Sequence, residues 1–488
     1  MIRPTIDEAR ALCQGNTIIP ISLELFSDIK TPIGVLKCLK EKSDKCYLLE
    51  SVEGGEKWGR YSFLGYDPKL TVTCKNGSIE IKNGNIKTSQ TTNPIDALRQ
   101  VMSEYKSPKL DFLPPFTGGF VGYISYDYIK YTEKSLKLEN TNSADFDDFN
   151  LMLFDKIIAF DHFRQKIIII VNAKTNNFES NYINAVIALK EIENIIKSEK
   201  GTTKYSSKLL SDFTPLFSKE RYCQMVERVK EHIFEGDIFQ AVLSNRMEAE
   251  FEGDLLSTYR ALRTINPSPY MFYMSLGDTQ IVGASPETLL SLRNNKLSTF
   301  PIAGTCPRGK TDDEDERLIS ELLKNEKELS EHNMLVDLGR NDLGKISEFG
   351  SVKVEEYQKI LKFSHVSHIA STVTGTLKQG LDQFDAVSAV LPAGTLSGAP
   401  KIRACEIINE LEGNKRGIYG GAIGYIDFAG NMDMCISIRM AVKKNNKIYV
   451  QAGAGIVADS IPNNEDNECT NKAKAMIKAI KFSQEVER

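Results

Sequence analysis

Two Asn-Gly dipeptides, Asn76-Gly77 and Asn83-Gly84, stand between runs of alternating apolar residues: Val72 and Cys74 before the first, Ile79 and Ile81 between them, Ile86 after the second. Asn-Gly accepts the positive φ values of a two-residue turn whose twist matches paired strands, so the pattern predicts consecutive antiparallel hairpins. The neighbouring stretches extend the same layer. CYLLESV, SFLGY, LTVTC and SIEIK are short β-type runs, GFVGYISYDYI follows the Pro-rich DFLPPFTGG, and IIAFDHFRQKIIIIVN has a polar middle that reads as another turn.

A predicted helix from Asn181 to Lys197 closes this half. The polar stretch 200–216, KGTTKYSSKLLSDFTPL, reads as a linker and divides the chain into a β-rich segment, 1–205, and a second domain, 206–488. The second domain opens with a helix capped by Ser218 and running through Tyr222, Met225, Val226, Val229 and Ile233 to a stop near Gly236. FQAVLSNRMEAEF reads as a strand and LLSTYRALRTI as a helix. YMFYMSL, QIVGA, LLSLRNN and KLSTFPIAGT read as strands, the last two joined at Asn294-Asn295. Thr311 and Glu314 predict a capping box that opens an acidic helical region. Strands and helices come in blocks, which predicts an α+β fold with antiparallel sheets rather than a doubly wound one.

Charge and cysteine usage narrow the function classes. With 61 basic and 65 acidic residues the net charge is −4, so the chain is not built mainly to hold nucleic acid or an anionic membrane, while small anionic substrates stay open. Nine cysteines without a C-x-x-C pair predict reduced thiols. MIRPTIDEARALCQGN has no apolar core of signal-peptide length, and the longest aliphatic run, Ile167 to Val171, is too short to span a bilayer. The expectation is a soluble cytoplasmic protein.

Two acidic pairs stand out. Glu328 and Glu331 lie three residues apart in KNEKELSEHNMLVDLGRNDL (324–343), a spacing that puts both on one helix face while Leu329, Met334, Leu335, Val336 and Leu338 turn inward and Gly339 stops the helix. Glu465 and Glu468 open a second amphipathic helix through Ala473, Met476, Ile477 and Ile480. Singly, the first pair fits a solvated face and the second fits complementation of a helix dipole. Together, four carboxylates on two helices would supply an oxygen donor set for Mg2+ where the helices meet across a cleft, which neither pair establishes by itself. Three glycine-rich stretches, GTLSGAPK (394–401), YGGAIGY (419–425) and QAGAGIVADS (451–460), allow close backbone approach to an anion but match no P-loop or dinucleotide fingerprint, and tight turns explain each as well.

The ordered set SPETLL, PIAGTCPRG, ELSEHNMLVDLGRNDLG, GTLSGAPK, YGGAIGY, CISIR and QAGAGIVADS resembles the chorismate-utilising enzymes from Ser218 onward, and most closely their anthranilate-forming branch. The resemblance implies conversion of chorismate and ammonia to anthranilate and pyruvate with Mg2+, the ammonia coming from glutamine through a separate amidotransferase subunit. It implies that Glu331 and Glu468 ligate Mg2+, with Glu328 and Glu465 ligating or holding waters. Arg439, Lys472 and Tyr419 would hold the enolpyruvyl carboxylate and its ether, helped by backbone N–H groups of Gly453, Ala454 and Gly455. Gly304, Thr305 and Thr395 would line the ring, with His368 as general acid and base. LLES (48–51) and NPSPYM (266–271) resemble segments that bind the feedback inhibitor tryptophan, which implies an inhibitor site of Glu50, Ser51, Pro269, Tyr270 and Met271. Cys469 departs from the hydroxyl or acidic residue expected beside Glu468.

Three other readings remain. An aminodeoxychorismate synthase component carries a lysine where this chain has Ala303, and isochorismate or salicylate synthases carry one at Gln240. The third reading is an idle tryptophan-sensing partner of the amidotransferase, for which the retained glutamates, His368, Arg439 and Lys472 would be superfluous.

Overall fold

The computed structural model describes residues 2–28, 30–51, 59–138, 141, 143–198, 201, 203, 205–362 and 366–486. Its strands form two large sheets of 14 and 12 strands in which all strand pairings are antiparallel, with helices packed on them, an α+β fold as the blocks of periodicity predict. Asn76 and Gly77 both take positive φ and join Lys75 to Ser78 in register, the two-residue turn that the dipeptide calls for. At the second dipeptide Gly84 alone turns the chain, since Asn83 already pairs with Asn85. Asn294-Asn295 turns in the same left-handed way, and so does Asn445-Asn446, a hairpin with no Gly to mark it.

The division at 205/206 marks no separation of sheets. In the first sheet the strand Lys45–Glu50 pairs with Tyr270–Leu276, and in the second Gly119–Ile124 pairs with Ala422–Asp427. The polar stretch 200–216 is not wholly a linker either, because Ser207–Leu209 and Thr214–Pro215 add to the edge of the long strand Gln240–Gly253.

One core takes side chains from both sheets, such as Tyr47 and Phe272 from the first and Val121, Leu151 and Ile423 from the second. A second lies between the outer face of the first sheet (Leu48, Leu64, Ile169) and its helices (Leu36, Leu189, Val229, Tyr259, Ile480). Each fully buried leucine or phenylalanine there contributes about 1.5–3 kcal/mol of transfer free energy. All nine cysteines are free, and among the described residues no helix is long and apolar enough to cross a membrane.

The acidic helical region differs from its expected form in three ways. It is two helices, Asp312–Leu322 and Glu326–Gly344, because Asn325 caps the second by accepting from the N–H groups of Lys327 and Glu328 at 3.1 and 3.3 Å. The Thr311 hydroxyl accepts from Glu314 N–H, but the Glu314 carboxylate accepts from Lys310 N–H rather than from the cap residue, so half of the predicted box forms. Gly339 does not end the helix. It lies inside it, where a Cβ would stand 3.2 Å from the Thr299 methyl, so its smallness allows close packing on the second sheet.

Candidate active site

The two acidic helices bring their glutamates to one cleft. Glu328 reaches over the strand Ile302–Pro307, where its carboxylate lies 3.4 Å from the place a Cβ on Gly304 would occupy. Glu331 is exposed yet crowded by neighbouring protein atoms, and its carboxyl is raised above its ordinary value first by that desolvation and then by Glu328 and Glu468. On the helix Pro462–Val486, burial likewise raises Glu465, and Glu468 adds to it. Glu468 pairs with Lys472 at 2.6 Å, and Lys472 also donates to the Gly453 carbonyl at 3.1 Å. The four glutamates are near enough to repel but do not close into a cage. Among the described residues the one group of three or more such ligands within 4.8 Å is His232, Glu235 and Asp237, where Asp237 is taken by Arg403 at 2.6 Å.

Arg439 stands at a left-handed turn before the strand Met440–Lys444 and shares a pocket of about 500 Å3 with Glu468 and Lys472. Desolvation lowers its pKa, while Tyr419 and Glu468 act the other way. The buried Tyr419 hydroxyl would lie 3.1 Å from a Cβ on Gly453. Beyond Val450 the strand Lys447–Ile456 is paired on one side only, with Gln240–Gly253, so alternate backbone N–H groups there face away from the ladder and suit an anion. The side chain of Ala454 is not part of this wall, since it packs in the core beneath the first sheet.

His368 sits opposite Thr305 in the second sheet, its Nδ1 2.9 Å from the Thr305 hydroxyl and 3.2 Å from the Gly304 carbonyl. A carbonyl only accepts, so Nδ1 carries the proton and Nε2 the lone pair. Desolvation lowers the His368 pKa, and nearby Arg439 lowers it further, against the opposing pull of the Gly304 carbonyl, so the ring is neutral at neutral pH. Thr395 lies on a short turn, Gly394–Leu396, held by Arg416 donating to the Leu396 carbonyl at 2.6 Å. The next turn of chain is held by a buried Lys401–Asp342 ion pair of 2.7 Å, which ties GTLSGAPK to the glutamate helix. Ala303 stands at a bulge beside Gly304, and the Gln240 amide lies against Gly455, 2.5 Å from where a Cβ would stand.

One acid escaped the sequence reading. Glu287, in SPETLL, is pushed up to about 8 by burial, with Thr395 and Lys472 pulling the other way. It lines a cavity of about 40 Å3 with Thr395 and Asp342. The Thr395 hydroxyl is close enough to favour the ionised carboxyl but makes no hydrogen bond of ordinary geometry. The available signal was an acid set directly before an apolar strand, Thr288–Arg293.

The segments LLES and NPSPYM lie side by side, with Glu50 opposite Met271. Glu50, Ser51, Pro269, Tyr270 and Met271 all line a cavity of about 520 Å3. Glu50 is placed differently from its expected role toward an ammonium group. Its carboxylate is buried against the Tyr259 hydroxyl at 2.5 Å and Arg263 at 2.9 Å, on the helix side of the sheet with Leu48.

Four glutamates, a lysine, an arginine and outward-facing backbone N–H groups thus line one cleft, which offers oxygen donors and anion-holding donors together. Residues 44–478 match the chorismate binding enzyme family, and the chain belongs to it. Within that family it stands with the component 1 proteins of anthranilate synthase and is an enzyme of that type. It is 46% identical to that protein of Acetivibrio thermocellus over 100% of both chains. The crystal structure of anthranilate synthase component I from Streptococcus pneumoniae superposes with a TM-score of 0.76 at 39% identity, covering 93% of this chain and 98% of that one. The menaquinone-specific isochorismate synthase MenF of Escherichia coli shares the fold at 19% identity, with a TM-score of 0.72 over 97% and 98% of the two chains.

Proposed function

We propose that this chain works in the cytoplasm, converting chorismate and ammonia to anthranilate and pyruvate with Mg2+, draws its ammonia from glutamine through an amidotransferase subunit, and is inhibited by tryptophan. The observation that carries the reading is Glu331, raised by desolvation and by glutamates from two helices, beside Lys472 and Arg439. Oxygen-only donors suit Mg2+, and the repulsion among them is what a bound dication relieves. Glu331 and Glu468 would hold it directly and Glu328 and Glu465 directly or through water. When bound, the ion would neutralise the ring carboxylate of chorismate.

The remaining steps fall to the chain's own groups. Arg439 and Lys472 meet the enolpyruvyl carboxylate with charge-assisted hydrogen bonds, and Tyr419 meets the ether. Glu287 keeps its proton at neutral pH and gives it to the departing C4 hydroxyl as ammonia adds at C2. The proton that the added ammonium sheds returns to the Glu287 carboxylate; His368 Nε2 then takes the C2 proton as the C3–O bond breaks and passes it to the enolpyruvyl methylene, which leaves as pyruvate. Ala303 offers no amine to attack the ring, and Gln240 cannot deprotonate water, so amination by ammonia is the reaction these walls permit.

The test is to give the purified chain chorismate, Mg2+ and ammonium at mildly alkaline pH and weigh the product. Anthranilate is expected with ammonium and none with glutamine alone. Formation of 4-amino-4-deoxychorismate or isochorismate would replace the reading, and glutamine-driven anthranilate from the chain alone would remove the need for a partner.

Tryptophan fits the large cavity because Ser51 supplies a hydroxyl and Pro269 and Tyr270 supply apolar wall, whereas the Met271 side chain, opposite Glu50, turns to the helix side and packs with Leu48 and Tyr259. A hydrogen bond to a charged ligand is worth about 1.5–3 kcal/mol, so Ser51→Ala is expected to weaken inhibition by roughly ten- to a hundredfold. Inhibition titrations at fixed chorismate check this; an unchanged midpoint would place the inhibitor elsewhere.

A further inference from the structure

We infer that the Tyr270 and Thr288 hydroxyls form a bridge through which occupancy of the large cavity resets the position of Glu287. The inference rests on the proposal that tryptophan fills that cavity. Tyr270 walls the cavity, and its hydroxyl lies 2.9 Å from Asp433 Oδ1 and 2.8 Å from Thr288 Oγ1. A carboxylate only accepts, so the tyrosine proton goes to Asp433 and Thr288 donates to the tyrosine oxygen. Asp433 is held in turn by Arg293 at 3.0 Å, and both also line the cavity. Thr288 belongs to the other side. It lines the small cavity that contains Glu287 and Thr395, and Glu287 is its immediate neighbour in the chain. One hydroxyl pair therefore joins the wall of the proposed inhibitor site to the wall of the proposed catalytic site.

The local backbone has room to respond. The strand Thr288–Arg293 pairs with Met432–Ile436 through a register shift between Thr288 and Leu290, so the first residues can move without unzipping the rest. Glu287 itself is tied to the strand end by its carbonyl, which accepts from Ile436 N–H at 3.0 Å. A ligand that presses on the Tyr270 ring favours an arrangement in which the Thr288 bond is lengthened or lost. The proton donor then leaves its working position. Two discrete states, bond made and bond broken, give the coupling a physical carrier.

Thr288→Val keeps the shape of the side chain and removes the donor at a position outside the ligand cavity. Tryptophan affinity is measured by calorimetry, and ammonia-dependent turnover is measured with and without saturating tryptophan, for the unaltered and altered proteins. Affinity is expected to stay within about threefold, while the fraction of each protein's own rate that survives saturating tryptophan rises roughly tenfold in Thr288→Val. Thr288→Ser restores the hydroxyl and is expected to restore full inhibition, which a merely structural role for the threonine methyl would not do. Unaltered depth of inhibition in Thr288→Val overturns the bridge and leaves the tryptophan reading standing. If Thr288→Val does not fold, Tyr270→Phe takes its place, with retained full inhibition again overturning the bridge. An unaltered protein that neither binds tryptophan nor is inhibited by it overturns both.

Discussion

Glu331→Gln is expected to lower Mg2+-dependent turnover by about a hundred- to a thousandfold, since a metal-held substrate charge is worth several kcal/mol and each 1.4 kcal/mol is tenfold in rate. The fold should survive. Glutamine keeps the shape, and Glu331 is a carboxyl whose folded-state pKa lies above its ordinary value, through desolvation and then through Glu328 and Glu468. Such a group binds its proton more tightly in the native state, so its ionisation lowers stability as pH rises through the carboxyl range. Removing the charge takes that penalty away, and thermal unfolding without metal should occur at the same or a higher temperature. Added Mg2+ should raise the unfolding temperature of the unaltered protein and do so less for the variant. Near-normal turnover by Glu331→Gln in Mg2+ would end the case for these glutamates as the metal site.

What was legible in the sequence was whatever short-range chemistry decides. The Asn76-Gly77 turn needs two positive φ values, and its residues supply them at little cost, so the hairpin could be read directly. The helix from Lys219 to Phe234 follows from one cap, Ser218, and one apolar stripe. Pairings such as Lys45–Glu50 with Tyr270–Leu276 join residues far apart in the chain, and no local pattern encodes them. Hence the sequence suggested two successive domains where both sheets draw strands from both halves. Gly339 shows the reverse error: its low helix propensity was visible, but the packing against Thr299 that offsets it was not.

The site divides along the same line. Paired glutamates at helical spacing could be placed on faces, and those faces meet. Glu50 and Ser51 are adjacent on an extended segment, and a strand sends adjacent side chains to opposite faces. Period two therefore separates them: Glu50 joins Leu48 on the helix side, next to Arg263. Glu287 carried no comparable pattern, being a single acid whose importance comes from burial, which only the tertiary fold supplies.

That burial makes Glu287→Gln the sharpest test of the proton transfers. Turnover is expected to fall by about a hundred- to ten-thousandfold, the usual range for a positioned acid, with chorismate affinity little changed. The pH dependence separates this from a structural defect. The carboxyl is raised from its ordinary 4.5 to about 8 by burial, so in the folded protein the donor is protonated below that value and is lost as pH rises through it. At constant free ammonia, turnover of the unaltered protein should therefore decline on the alkaline side of about 8, and the small residual rate of the variant should not show this limb. Stability follows the same sign. The native state holds a proton that the unfolded chain releases above 4.5, so the contribution is full in acid and is lost as pH rises through about 8. In Glu287→Gln the unfolding temperature should vary less with pH across that window. An alkaline limb that persists in the variant would assign the proton to another group.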